Sequence, residues 1–175
     1  ASRGLGDVYK RQIQLSLQMQ KGSKADGTLG YMTEEQYEQL VNSDFVEQAG
    51  HRRIIGYASN TSSHSIEINY ADSVQQELTF CVPTHGAAPE KANEIATTDL
   101  ALKALGVEPK IGAAVPLEFE LRGKTYHYDM VLSGWWEASN DSVSVATVSE
   151  QFIKENPDVV QNLSLIHISE PTRRS

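Results

Sequence analysis

Thiols are nearly absent from this chain: Cys81 is its only cysteine. A lone thiol excludes an internal disulfide and any metal site built from several cysteines, and its ordinary role is that of a small buried apolar residue. Long apolar runs are absent as well. No stretch approaches the length of a membrane span, and no intact signal peptide is visible. The sequence holds no GxSxG nucleophile elbow, no HExxH zinc helix, no glycine-rich phosphate loop and no CxxC pair. Basic residues are scarce, with 15 Lys and Arg against 23 Asp and Glu and a formal net charge of −8. A surface of that sign repels phosphate backbones and anionic headgroups. Nucleic acid is therefore not expected as a partner, and peripheral membrane binding is disfavoured.

What is present begins with an oddity of the two ends. With one end read forwards and the other backwards, each residue of Ser2–Gln12 meets a residue of Leu163–Arg173 whose codon can be its reverse complement. Ser2 (TCT) faces Arg173 (AGA), Arg3 (CGT) faces Thr172 (ACG) and Gly4 (GGG) faces Pro171 (CCC). The run continues unbroken until Gln12 faces Leu163. The back-translated string resembles the transposase end used in shotgun library preparation, read on both strands. Residues 1–12 and most of 163–175 are thus expected to be translated adapter DNA, and residues 13–162 a fragment of a longer gene. Setting the ends aside removes His167 from every chemical argument. It also takes Arg3, Lys10, Arg11, Arg173 and Arg174 away with Asp7 and Glu170, which moves the net charge from −8 to −11.

The remaining stretch has the length and apolar content of one domain with one core. From Thr33, the run TEEQYEQLV predicts a short helix: Thr33 is an N-cap, Gln36 holds the capping-box position, and Tyr37, Leu40 and Val41 share a face. Arg53 to Ala58 and Ser65 to Tyr70 are strand-like, the second alternating Ile66 and Ile68 with Glu67 and Asn69, and the polar cluster Asn60 to Ser63 is the turn between them. A loop centred on Pro83, Gly86 and Pro89 leads to Asn93-Glu94-Ile95-Ala96, then a helix from Thr97 to Leu105 closed by Gly106. Val115 to Leu121 and Tyr126 to Leu132 flank Arg122-Gly123-Lys124 as a hairpin. Trp135 and Trp136 begin a further strand, Val143 to Val148 alternates, and Ser149 to Asn156 is a closing helix that Pro157 ends. Strands outnumber helices and come in adjacent pairs, so the expected fold is α+β with an antiparallel or mixed sheet. The regular β-α-β alternation of a doubly wound nucleotide-binding sheet is missing.

The chemistry-bearing residues form no recognisable site. His51, His64, His85 and His127 lie far apart and at no ligand spacing, and each reads as a surface or strand histidine. His85 in Pro83-Thr84-His85-Gly86 could act as a base, and Cys81 could pair with it as the nucleophile of a small hydrolase, although no oxyanion-hole signature accompanies them. Glu94 is either a buried carboxylate with a role or, more ordinarily, a strand-end acceptor of backbone N–H groups. Acidic residues show no calcium-loop spacing, and no catalytic residue, metal ligand or cofactor is expected. Trp135 and Trp136 face opposite sides of a strand. One belongs to the core, and the other is exposed or meets a partner, which marks the pair as a possible interaction surface.

The order of segments says more than any single residue. Tyr31-Met32-Thr33 leads into Glu35-Gln36-Tyr37, and Pro89-Glu90-Lys91-Ala92-Asn93-Glu94-Ile95-Ala96 follows. Next come Ala104-Leu105-Gly106-Val107, Lys110-Ile111-Gly112 and Val115-Pro116-Leu117, then Leu132-Ser133-Gly134-Trp135-Trp136-Glu137 and Val148-Ser149-Glu150-Gln151-Phe152. This order resembles the extracytoplasmic domain of ABC-transporter permeases of the MacB/FtsX type, over nearly all of residues 13–162. Such permeases commonly carry an acidic residue shortly after the Ile-Gly turn, where this chain has Ala113 and Ala114.

The resemblance implies a MacB-like α+β ectodomain at the outer face of the plasma membrane, in a longer protein with membrane helices. It implies an ABC ATPase subunit reached through those helices, a second permease subunit, and an extracellular peptide or lipid ligand. ATP hydrolysis would lie on the separate ATPase. The domain would work by recognising a ligand or transmitting motion rather than by covalent chemistry. A free-standing secreted or surface binding domain is the alternative.

Overall fold

The computed structural model describes residues 12–19, 31–32, 35, 38–39, 42–44, 48–159 and 164–169, with the backbone alone at 12–19, 31–32 and 164–169. The first strands are β1 (Gln12–Met19), β2 (Tyr31–Met32), β3 (Gln48–Tyr57) and β4 (Ser65–Ala71), followed by helix α1 (Ser73–Leu78). Next come β5 (His85–Gly86), β6 (Glu94–Thr98) and α2 (Asp99–Ala104). The rest are β7 (Ala114–Leu121), β8 (Lys124–Trp136), β9 (Val143–Val148), α3 (Glu150–Glu155) and β10 (Ser164–Ser169). The chain divides into two compact units: residues 1–52 with 71–80 and 162–175, and residues 53–70 with 81–161.

In the first unit β1 pairs antiparallel with β10, Ile13 opposite Ile168, and parallel with β2. Helix α1 starts at Asp72, whose Oδ1 accepts the Gln75 N–H at 2.8 Å and whose Oδ2 accepts the His51 N–H at 3.0 Å. The Asp72 N–H returns a bond to the His51 carbonyl at 3.1 Å. An N-cap and a strand are thus tied by one side chain. Gly50 is required beside them, because a Cβ there would lie 2.4 Å from the Gln75 nitrogen. The helix expected from Thr33 lies mostly outside the described residues; within it, 35 and 38–39 are helical.

The second unit carries the core. Its strands run in the order β3-β4-β9-β6-β8-β5, with β7 also on β8. The sheet is mixed, as the sequence predicts: β4 and β9 are parallel, β6 and β9 antiparallel, and β6 and β8 parallel. β7 and β8 pair antiparallel from Ala114 opposite Val131 to Leu121 opposite Lys124. Arg122 and Gly123 make the turn with φ of 52 and 76, the two positive values that a two-residue hairpin of matching twist needs. The sheet also curls back on itself. Ala58 bridges Phe119, and the Ser59 N–H donates to the Glu118 carbonyl at 2.8 Å. Ile55, Ile66, Ile68, Leu117, Phe119, Leu132 and Val148 fill the enclosed face, with Leu102 from α2 and Phe152 from α3. Each such side chain, fully buried, contributes roughly 1.5–3 kcal/mol.

Several elements depart from the sequence reading. β8 is one strand through Trp136 rather than two, because Gly134 continues the ladder where a break is predicted. Helix α2 starts at Asp99, since Thr97 and Thr98 stay in β6 and Thr98 serves as the N-cap. Its end is a Schellman closure: the Gly106 N–H meets the Lys103 carbonyl and the Val107 N–H meets the Leu102 carbonyl, with Gly106 at φ 71. The alternation of Ile66 and Ile68 with Glu67 and Asn69 holds in β4, yet Glu67 and Asn69 are buried as well. Asn69 donates to Glu67 at 2.8 Å and accepts from Thr147 at 3.0 Å, so the second face of this inner strand is a hydrogen-bonded polar layer.

Candidate functional site

The loop centred on Pro83, Gly86 and Pro89 is a strap laid against β8. The Thr84 N–H donates to the Trp135 carbonyl at 3.1 Å and the Ala87 N–H to the Ser133 carbonyl at 2.8 Å. The Ser133 hydroxyl donates back to the Ala87 carbonyl at 3.0 Å. Two glycines make this approach possible. A Cβ on Gly86 would lie 2.2 Å from the Ser133 oxygen, and one on Gly134 would lie 2.4 Å from the Ala87 oxygen. The far end of the strap is held by Glu94, whose Oε1 accepts the N–H groups of Lys91 at 2.7 Å and Glu90 at 3.1 Å. Ser149 donates to the Lys91 carbonyl at 2.8 Å while capping α3 through the Phe152 N–H at 3.0 Å. Glu94 therefore organises a loop, the more ordinary of its two sequence readings.

Between the strap and β8 lies an open cleft of about 290 Å3, lined by Ala88, Glu90, Glu94, Ile111, Leu132 and Ser133 among others. Among the described residues its lining is mostly apolar, and its charged members are Glu90 and Glu94. The Lys110–Ala113 turn forms another wall: the Gly112 N–H donates to the Leu132 carbonyl at 2.8 Å, with Gly112 at φ 90 and Ala113 and Ala114 following it.

The tryptophan pair splits between environments. Trp136 is 5 % exposed, while Trp135 is half-buried and carries the His85 imidazole flat on its ring, centroids 3.8 Å apart and planes 7° from parallel. His85 and Trp135, singled out separately in the sequence, are thus brought together. Cys81 is half-buried and His85 exposed. Among the described residues, no three His, Cys, Asp or Glu side chains stand close enough to hold a metal.

Sequence reasoning missed a second cluster. Buried His64 points Nδ1 at the Asp141 carbonyl, 2.9 Å away, so that nitrogen carries hydrogen, and Nε2 is hydrogen-bonded to the Ser144 hydroxyl. Ser144 bonds in turn to the Thr98 hydroxyl, and Thr98 caps α2 by accepting the Ala101 N–H at 3.1 Å. A serine beside a histidine base has the geometry of nucleophilic catalysis. With Ser144 4 % and His64 7 % exposed, this pair is sealed from substrate and serves to join two loops, β9 and a helix cap. Spacing could not reveal it, since 80 residues separate Ser144 from His64.

Two solved structures share this architecture. One is the extracellular domain of the noncanonic ABC-type transporter YknZ from Gram-positive bacteria, 15% identical, with a TM-score of 0.58 over 94% of this chain and 85% of that one. The other is a domain of a putative permease from Porphyromonas gingivalis, 9% identical, with a TM-score of 0.50 over 78% of this chain and 68% of that one. The likeness is one of fold. No family model and no curated protein matches the sequence. The α+β fold is thus shared with extracellular domains of ABC-type transporter permeases. Among the described residues, no helix is long and apolar enough to cross a membrane.

Proposed function

We propose that residues 13–162 are the extracytoplasmic domain of an ABC-transporter permease of the MacB/FtsX type, and that residues 1–12 and most of 163–175 are translated adapter DNA. The observation that carries the reading is the shared fold with the YknZ extracellular domain over 94% of the chain. The order of segments from Tyr31-Met32-Thr33 to Val148-Ser149-Glu150 supports it independently. On this reading the domain is not an enzyme. It hangs outside the cell between membrane helices, works with an ATPase subunit and a second permease subunit, and either recognises an extracellular ligand or passes ATPase-driven motion across the membrane.

The test is recovery of the genomic DNA on both sides of the insert. The expected result is an open reading frame with one apolar span before Ile13, several after Asn162, and an ABC ATPase gene nearby. A cleavable signal peptide upstream and a stop codon or polar linker downstream would make the chain a free-standing binding domain instead. Reading frames that continue Ser2–Gln12 and Leu163–Arg173 without the reverse-complement relation would refute the adapter assignment.

A further inference from the structure

We propose that the cleft between the strap and β8 binds an extended peptide segment carrying a basic side chain next to an apolar one. Its lining supplies both halves of that chemistry: Ala88, Ile111 and Leu132 offer apolar surface, Glu90 and Glu94 offer negative charge, and among the described residues no basic side chain lines it. Its volume of about 290 Å3 suits one or two side chains rather than a large cofactor. Ile111 is 48% exposed at the rim, apolar surface that the folded core leaves uncovered. The site is also pre-shaped. Glu94 is held by two backbone N–H groups, Gly112 is bonded to Leu132, and the strap is bonded to Trp135 and Ser133, so a ligand meets groups already in place.

A peptide suits the cleft better than a free amine, because β5 is the last strand in the sheet order and runs directly into Ala87, which lines the cleft. An extended segment can add to such an edge through its backbone while its side chains reach sideways. The net charge of −8 draws a cationic segment in from a distance and turns an anionic one away.

The proposal names a ligand class for the ectodomain described above and takes its biological sense from that reading. Its test uses this chain alone, so failure of binding and failure of the transporter context are seen in different experiments. The isotopically labelled chain is titrated with a capped peptide alternating leucine and arginine, and its amide resonances are followed by NMR. Saturable shifts are expected at Ala88, Gly112 and Leu132, weakening as salt rises. The same peptide with glutamate in place of arginine should leave these resonances still. Glu90→Gln should weaken binding roughly tenfold. Glu94→Gln should weaken it too, and if that change loosens the strap, Glu90→Gln still decides, because Glu90 is exposed. Absence of shifts, shifts elsewhere, equal response to both peptides, or unchanged affinity in Glu90→Gln would each overturn the proposal.

Discussion

Tyr128 reaches from β8 to the end of α3, donating its hydroxyl to Asn156 Oδ1 at 3.2 Å while its ring meets Phe152 edge-on at 5.0 Å. Burial first, and then the negative charge of Asp158, hold its phenol above the ordinary tyrosine value. The folded state therefore favours the neutral phenol. This contribution to stability is whole below about pH 10 and is lost as pH rises through the raised value. Tyr128→Phe should flatten that alkaline loss in a series of thermal melts, at a cost near neutrality of about 1 kcal/mol or less for the missing hydrogen bond. Gly134→Ala should do more harm, because its methyl would meet the Ala87 carbonyl. A loss of about 2 kcal/mol or more is expected, with a change in Trp135 fluorescence as the strap lifts. Neither position announces itself in the sequence. The Trp135-Trp136 doublet is visible, and strand alternation separates its two rings. The His85 ring over Trp135 is not, because it depends on how a loop fifty residues earlier is laid across β8.

At the scale of elements, the Thr98 cap is both local and long-range. Thr98→Ala would free the Ala101 N–H and take from Ser144 the hydroxyl that bonds it, with His64 next in line. A loss of about 1–2 kcal/mol is expected in chemical denaturation, with Thr98→Ser recovering most of it. Caps and turns were the legible features: Ser149 before α3, Gly106 after α2 and the Arg122-Gly123 hairpin all carry their reason in two or three adjacent residues. Helix α1 was written just as clearly, in Asp72 followed by Ser73-Val74-Gln75, but its six residues are too few to show a periodicity. The buried Glu67 and Asn69 were out of reach for a different reason. Alternation predicts which side chains share a face, and says nothing of whether both faces are covered.

Over the whole molecule, the mixed α+β class follows from counting strands and helices, whereas the placement of β9 between β4 and β6 does not. That arrangement joins Ile66 to Ser144 and Ile95 to Val148 across long stretches of chain, and no local signal encodes it. Net charge acts at this scale as well. With −8 on the chain, vesicles rich in anionic phospholipid should fail to retain it in co-sedimentation at physiological ionic strength, and strong retention would contradict the charge argument. The return of residues 58 and 59 to β7 has a bearing on how the molecule behaves in company. An outer strand normally offers its spare amides and carbonyls as a template on which a neighbour can add and fibrils can grow. Phe119 and Glu118 have their backbone taken up from within, so concentrated solutions of this molecule have one fewer place to begin sticking together.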